Sequence, residues 1–321
     1  MTGESVPILT AGCGPLHLES ASEHVSAIRR SIELGVNYFD TSPFYAHGES
    51  QQVLAQALKE VNEPVFVATK VGHFNDRSQF RDASAILDQV HNNLRILGRT
   101  EVDLLQIHEA DWRGWWVDTE PRGIPIALDE TLDFADAPVM QALVAAREKG
   151  LCRFIGITGN TTEQLARVLH GVDVDSVLAA YNYNLLCRGA KKHVLPVARA
   201  KDAAFVIAGP LYNAKLADVH REWIKDPPSW MTPEIHGRYE PLCDLRDELG
   251  IPMFELAIRY VLGDPEVTTL LTASVTVDEV EKNVAAVHGG PLPPDIQNRL
   301  DRIGLEDTGI HPWLFKFWDS M

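Results

Sequence analysis

The run from Val65 to Lys70, VFVATK, is apolar or small at consecutive positions until it ends in a charge. A strand with one face in water alternates apolar and polar residues. An unbroken apolar run instead marks a parallel strand covered on both faces. Seven further stretches read as strands: Ile8–Gly12, Val36–Asp40, Val102–His108, Arg153–Thr158, Ser176–Asn182, Ala204–Gly209 and Val267–Thr272. DLLQI (103–107) and FVIAG (205–209) share the continuous apolar character most plainly.

Helix punctuation fills the intervals. Ser20 and Glu23 predict a capping box ahead of Val25, Ile28 and Ile32. Ile86, Val90, Leu94 and Leu97 form an apolar stripe that Gly98 closes. Gly150, Gly171 and Gly250 read as residues just past helix ends. Thr161 and Thr162 can cap a helix running to His170, and Pro252 can open one through Phe254, Ala257, Ile258 and Val261. Strand-then-helix units recur along all 321 residues without a Ser/Pro/Gly linker between them. The pattern predicts an α/β fold, a (β/α)8 TIM barrel, as one domain over residues 1–321. An open doubly wound sheet needs GxGxxG after its first strand, and GCGPLH (12–17) does not fit.

Two connections exceed ordinary turns. One runs from Glu109 to Ala137 after the fourth strand and carries Trp112, Trp115 and Trp116. The other runs from Leu211 to about Thr232 after the seventh and carries Trp223, Pro227, Pro228 and Trp230. Loops that follow strands lie on the catalytic face of barrel enzymes. Trp112, Trp115, Trp116 and Trp230 are therefore candidate substrate contacts. The plainer reading is that they pack the loops on themselves.

Composition narrows the partners. With 29 Lys and Arg against 45 Asp and Glu, the net charge of −16 disfavours nucleic acid and anionic membranes. Cys13, Cys152, Cys187 and Cys243 form no CxxC and read as reduced packing thiols. The N-terminus lacks a signal-peptide pattern, and no run approaches the ~18 apolar residues of a membrane helix. The expected location is cytoplasmic. The apolar segment IHPWLFKFW (310–318) can cover the barrel or serve an interface, and the oligomeric state is not legible. The histidines other than His108 form no HxxxH or HxH pair, so no metal site is expected. There is no GxSxG elbow.

The strand ends carry the chemistry. The second strand ends at Asp40, with Tyr45 five residues on; the third ends at Lys70 and the fourth at His108. Singly, these are a turn cap, a solvated ammonium and a satisfied imidazole. Yet a doubly covered strand that terminates in Lys70 needs a partner, and Asp40 is the obvious one. Tyr45 is then a candidate acid/base, its phenolate stabilised by Lys70, with His108 orienting a substrate oxygen.

GVNYFDTSPFYAHGES (35–50), VFVATKVG (65–72) and VDLLQIH (102–108) resemble, in order, successive blocks of the aldo-keto reductases. FIGIT, YNYNLL, VIAGPL and VTTLLTASVTVDEVEKNVAA continue the likeness to residue 286. The resemblance implies a (β/α)8 barrel that binds NAD(P) without a Rossmann fold, with Asp40, Tyr45, Lys70 and His108 as its catalytic tetrad. FDTSPFY, RFIGITG and the Trp/Pro-rich loop after strand seven look like the sugar-dehydrogenase branch, which includes the L-galactose, L-fucose and D-threo-aldose dehydrogenases. Those oxidise the anomeric hydroxyl of an aldose to the lactone, so Tyr45 is implied as general base on the C1 hydroxyl. The rival readings are a carbonyl reductase, a pyridoxal-type aldehyde or hemiacetal dehydrogenase, and a cofactor-sensing regulatory subunit.

The family likeness also places the cofactor. The loops after strands seven and eight, with Gly209, Pro210 and Leu211 and with Ser274, Asp278 and Asn283, are implied phosphate and ribose contacts. Backbone amides of a helix opening near Thr276 can meet phosphate without basic side chains. NADP-preferring relatives read KSVTPER where this chain reads Ala273-Ser-Val-Thr-Val-Asp278-Glu279. The absent Lys and Arg predict NAD over NADP. Thr158, Asn160 and Asn182 stand in for the family's carboxamide contacts. Ala208 stands where relatives stack an aromatic on the nicotinamide, which leaves Tyr181 or Tyr183 to supply that face or to pack the core.

Overall fold

A computed structural model describes residues 3–118 and 124–306. In chain order β1 (Leu9–Gly12) leads to α1 (Ala21–Glu33), β2 (Tyr38–Asp40) to α2 (Glu49–Leu58), and β3 (Phe66–Val71) to α3 (Ala83–Leu97). Then β4 (Val102–Ile107) leads to α4 (Pro138–Glu148), β5 (Cys152–Gly159) to α5 (Thr162–Gly171), and β6 (Ser176–Ala180) to α6 (Leu195–Ala200). The strand β7 (Ala204–Ala208) is followed by α7 (Pro233–Leu249) and α8 (Met253–Leu262), and β8 (Thr269–Ala273) by α9 (Val277–His288) and α10 (Pro294–Ile303). All eight strands are parallel and close into a barrel, β8 pairing back onto β1.

The expected strands all form, for the physical reason anticipated. Val67, Leu105, Ile107, Ile155, Ile157, Val177, Ile207 and Leu270 are buried against the helical ring. The interior carries its own side chains, and at its N-terminal end Tyr38, Ala68 and Leu104 form a small cluster with Val6, Phe66 and Phe154. That end also holds a cavity of about 80 Å³ lined by Tyr38, Phe66, Leu104 and Phe154, whereas the loops that follow the strands put the chemistry at the other end. Ile86, Val90, Leu94 and Leu97 all face inward along α3, and Gly98 closes it in the left-handed conformation (φ 65°). All four cysteines are buried free thiols.

Three helix-end expectations are corrected. Thr161 precedes α5 without a side-chain cap, its hydroxyl donating to Asp111 instead. Ser20 makes no side-chain cap, because a 3-10 turn over Leu18–Ser20 runs directly into α1. The capping box forms instead at α9, between Thr276 and Glu279. Gly171 lies within the last turn of α5 rather than past it. A Cβ there would stand 2.4 Å from Phe134 Cδ2, so glycine serves close approach. The apolar segment 310–318 lies outside the described residues. No described helix is long and apolar enough to cross a membrane.

Candidate active site

The register of four adjacent strands assembles the centre. Gly12 pairs with Asp40, Asp40 with Ala68, and Lys70 with Gln106. Asp40, Lys70 and Gln106 are all buried inside the barrel, near its C-terminal rim. Lys70 Nζ donates to Asp40 Oδ1 and to Thr41 O at 2.9 Å. Gln106 Nε2 donates to the second oxygen, Asp40 Oδ2, at 2.8 Å. Asp40 is thus the acceptor hub that keeps an ammonium in a dry interior. Burial pulls Lys70 below its ordinary ammonium range, against the opposing pull of Asp40. Gln106 escaped the sequence reading, although it is the one amide in a strand otherwise apolar after Asp103.

Tyr45 and His108 meet above this pair. Lys70 Nζ lies 4.6 Å from the Tyr45 ring centroid, and the Tyr45 and His108 rings meet edge-on at 5.4 Å. The four expected side chains are therefore brought together. One electrical expectation is corrected. Burial first, and the Asp40 carboxylate second, hold the Tyr45 phenol well above its ordinary range, so Lys70 does not draw it toward neutrality. Burial, with His73 and Lys70 adding, keeps His108 neutral, well below the usual imidazole range. His108 Nδ1 is 3.2 Å from Ser42 Oγ, which also accepts the Phe44 N–H at 3.2 Å.

A second polar cluster flanks His108. The Glu109 carboxyl is buried, with Oε1 accepting from Asn160 Nδ2 at 2.8 Å and Oε2 lying 3.1 Å from His73 Nε2. Thr158 Oγ1 accepts the Glu109 N–H at 3.0 Å, and Asn182 Nδ2 donates to Asn160 O at 2.7 Å. Thr158, Asn160 and Asn182 are thus brought together, around Glu109 and each other. His73 stacks on Phe44 (3.9 Å) and meets the edges of His108 (4.5 Å) and Trp112 (5.1 Å). Of the nine non-glycine residues with positive φ among the described residues, all but Asp202 lie beyond strand ends on this face, His73, Glu109 and Tyr181 among them. Such strain persists where surrounding contacts over-determine it, commonly at functional sites.

The tryptophans divide. Trp115 is fully buried against Phe80 (4.6 Å), and its Nε1 donates to His108 O at 3.1 Å. Trp116 is buried against Phe134 (4.9 Å), its Nε1 donating to Ala110 O at 2.7 Å. Both satisfy backbone carbonyls at the end of β4 and pack the loop. The expectation that Trp115 and Trp116 clamp a ligand is corrected on that ground. Trp112 is also buried, against His73, whereas Trp230 stays partly exposed beside Tyr212 (5.6 Å) and Trp223 (5.5 Å) in the loop after β7.

At the far side of the rim, Asn283 Nδ2 donates to Ser274 Oγ (2.8 Å) and Thr272 Oγ1 (3.2 Å), beside the N-terminus of α9. The Glu279 carboxylate accepts the N–H groups of Val275 (2.8 Å) and Thr276 (3.3 Å), and Glu279 N–H goes to Thr276 Oγ1. Exposed Asp278 pairs with Lys282 at 2.6 Å. Of the two candidate tyrosines, Tyr183 is buried in the core, its hydroxyl donating to Asp264 at 2.9 Å. Tyr181 instead lies against Gly209, where a Cβ would stand 2.7 Å from its ring. Gly209 (φ 67°) and the following Pro210 and Leu211 open the loop after β7. Among the described residues, no three His, Cys, Asp or Glu side chains converge to hold a metal ion.

Comparison with known proteins agrees with this geometry. A family model described as the aldo/keto reductase family matches residues 12–304. The chain belongs to that family. It is similar to L-galactose dehydrogenase of Arabidopsis thaliana, 27% identical over 298 residues, spanning 89% of this chain and 86% of the other. It is also similar to pyridoxal 4-dehydrogenase of Microbacterium luteolum, 24% identical, covering 88% and 90%. The holo form of an aldo-keto reductase from Bacillus halodurans superposes with a TM-score of 0.73 at 23% identity, 94% of each chain being covered. Family membership and these relatives make the protein an oxidoreductase that uses a nicotinamide cofactor and a small-molecule substrate. The residues present fit such a cofactor: a polar cradle of Ser274, Asn283 and Thr272 at one end, an aromatic face from Tyr181 over a glycine at the other.

Proposed function

We propose that this aldo-keto reductase is an NAD-dependent dehydrogenase that oxidises the C1 hydroxyl of an aldose to the lactone. The observation that carries the reading is the placement of Tyr45 between His108 and a buried Lys70–Asp40 pair at one rim. Similarity to L-galactose dehydrogenase supports the aldose, and the polar cluster beside His108 supports a hydroxylated substrate.

The chain's own groups divide the work. Ser42 Oγ accepts the Phe44 N–H, which leaves its proton for His108 Nδ1; neutral His108 then carries its proton on Nε2 and donates it to the substrate oxygen. Tyr45 Oη takes the C1 hydroxyl proton during oxidation and returns one to a carbonyl oxygen in reverse. Lys70 and Asp40 fix the floor beneath the ring and exclude water. When bound, the nicotinamide supplies the hydride acceptor at C4. Tyr181 is the proposed aromatic face beside it, with Asn182 and Asn160 bordering that position.

Preference for NAD rests on α9. Just ahead of the first turn of α9 the Glu279 carboxylate takes the Val275 and Thr276 N–H groups, which sets a negative charge beside the helix N-terminus. A ribose 2′-phosphate brought there meets a carboxylate instead of free donors, whereas a ribose diol can donate to it.

A second reading, oxidation of a pyridoxal-type substrate, draws on the pyridoxal 4-dehydrogenase likeness and the Phe44–His73 stack. Both are tested by following reduction of NAD and NADP against L-galactose, L-fucose, D-arabinose and pyridoxal. Aldose turnover with NAD supports the proposal; turnover confined to pyridoxal selects the second reading.

A further inference from the structure

Proton transfer and cofactor binding leave the Glu109 carboxyl without a role, although it is buried beside the tetrad at the end of β4. A carboxyl of this kind is costly to bury, and a surface loop has no need of one. Several contacts determine its position. Its backbone is held in the left-handed region (φ 55°) by the N–H bond to Thr158. Asn160 fixes Oε1, and Asn160 is itself held by Asn182. Oε2 is buried 3.1 Å from His73 Nε2, yet makes no aligned hydrogen bond. That oxygen therefore keeps its capacity for a partner that arrives later.

Contacts place the carboxyl beside the reacting groups: Oε2 is 3.1 Å from His73 Nε2, the His73 ring lies 4.5 Å from that of His108, and His108 meets the Tyr45 ring at 5.4 Å. His73, between Phe44 and Trp112 and edge-on to His108, forms the wall beside it. Asp111, the other buried acid of this loop, has Oδ2 committed to the Asn160 and Thr161 N–H groups and the Thr161 hydroxyl, and it serves the loop.

We propose that Glu109, aligned by Asn160 and backed by His73, binds a substrate hydroxyl on the carbon next to the reacting carbon. The inference rests on the reading of Tyr45 as acid/base at that carbon, and it makes Glu109 a specificity-determining residue. A site built to pair a hydroxyl discriminates strongly against the analogue that lacks it, because its own buried polar atom is then left unmatched.

The test uses carbonyl reduction, so that it stands apart from the aldose assignment. L-Glyceraldehyde and propanal have the same chain length and differ in their hydroxyls. Wild type is expected to favour glyceraldehyde in kcat/KM by about tenfold or more. Glu109→Met removes both oxygens at similar volume and should collapse that ratio to within about threefold, mainly through KM. Glu109→Gln keeps an acceptor and a donor and should retain most of the preference. If Glu109→Met does not fold, as judged by thermal melting, His73→Phe keeps the stack on Phe44, removes the backing nitrogen and should also lower the ratio. A wild-type enzyme indifferent to the hydroxyls overturns the proposal, as does a Met or Phe variant with the ratio intact. If Glu109 controls the ratio but no aldose reduces NAD, the hydroxyl site stands and the aldose reading falls.

Discussion

Lys70 Nζ lies 4.6 Å from the centroid of the Tyr45 ring, over its face, while its hydrogen bonds go to Asp40 and Thr41. The ammonium thus supports the ring from beneath and leaves the phenolic oxygen to the substrate side. Tyr45→Phe preserves that packing and deletes only the proton carrier. The expected result is a fall in kcat of about 10²–10⁴-fold, with cofactor affinity by fluorescence titration unchanged. Near wild-type turnover places the proton elsewhere.

Removing Asp40 strands a buried charge. Asp40→Asn leaves Lys70 Nζ without its anion and disturbs the Gln106 bond. Denaturant unfolding should show a loss of about 3–5 kcal/mol, because one partner of a buried pair is left uncompensated. A loss below about 1 kcal/mol means that Lys70 is neutral in the fold and that the pair is no ion pair.

Direction of reaction should depend on pH through Tyr45. Burial and Asp40 raise its phenol, so the protonated acid is present throughout neutral pH and the base is scarce. Carbonyl reduction should be flat with pH, and oxidation should rise by about tenfold per unit while chemistry limits the rate. Parallel kcat/KM profiles in the two directions check this. An oxidation profile that is flat from neutral pH upward contradicts it.

Acid stability should depend on His73. Burial lowers its imidazole to about 3, whereas in the unfolded chain it titrates near the ordinary value of 6.5. Between these values the unfolded chain binds the extra proton, so this contribution falls as pH drops from about 6.5 toward 3. Glu109, raised by burial, acts with the opposite sign, its contribution being lost as pH rises through its folded value. His73→Phe should therefore show a shallower loss of melting temperature than wild type over the acid window. Superimposable slopes mean that His73 is protonated in the fold.

Cofactor choice should turn on the α9 cap. Glu279→Arg withdraws the carboxylate from the Val275 and Thr276 N–H groups and supplies a cation. The ratio of kcat/KM for NADP to that for NAD should rise about tenfold, at a helix-cap cost of about 0.5–2 kcal/mol seen in the melting temperature. An unchanged ratio places the 2′-position away from this residue.

The barrel was legible because parallel strands buried on both faces leave continuous apolar runs, and VFVATK and DLLQI show this without help from neighbours. Asp40, Lys70 and His108 were legible because a charge or imidazole at the end of such a run has nowhere to go but the rim. Glu109 was not, since a glutamate opening a long loop reads as solvated until the φ of 55° and the Asn160 bond turn it inward. Trp115 and Trp116 misled for a related reason: the sequence places them on the catalytic face and is silent on which way the rings point. Thr276 and Glu279 carry the S/T-x-x-E signature in the sequence, and it forms the cap that the same signature at Ser20 does not. A 3-10 turn continuous with α1 made the difference.

The most direct test of the central claim is steady-state formation of reduced nicotinamide by purified wild type and Tyr45→Phe, with NAD and NADP, across the aldose panel. The expected result is turnover of an aldose with NAD preferred, lost in Tyr45→Phe while the cofactor still binds. Cofactor binding without aldose turnover, or turnover that survives the substitution, contradicts it.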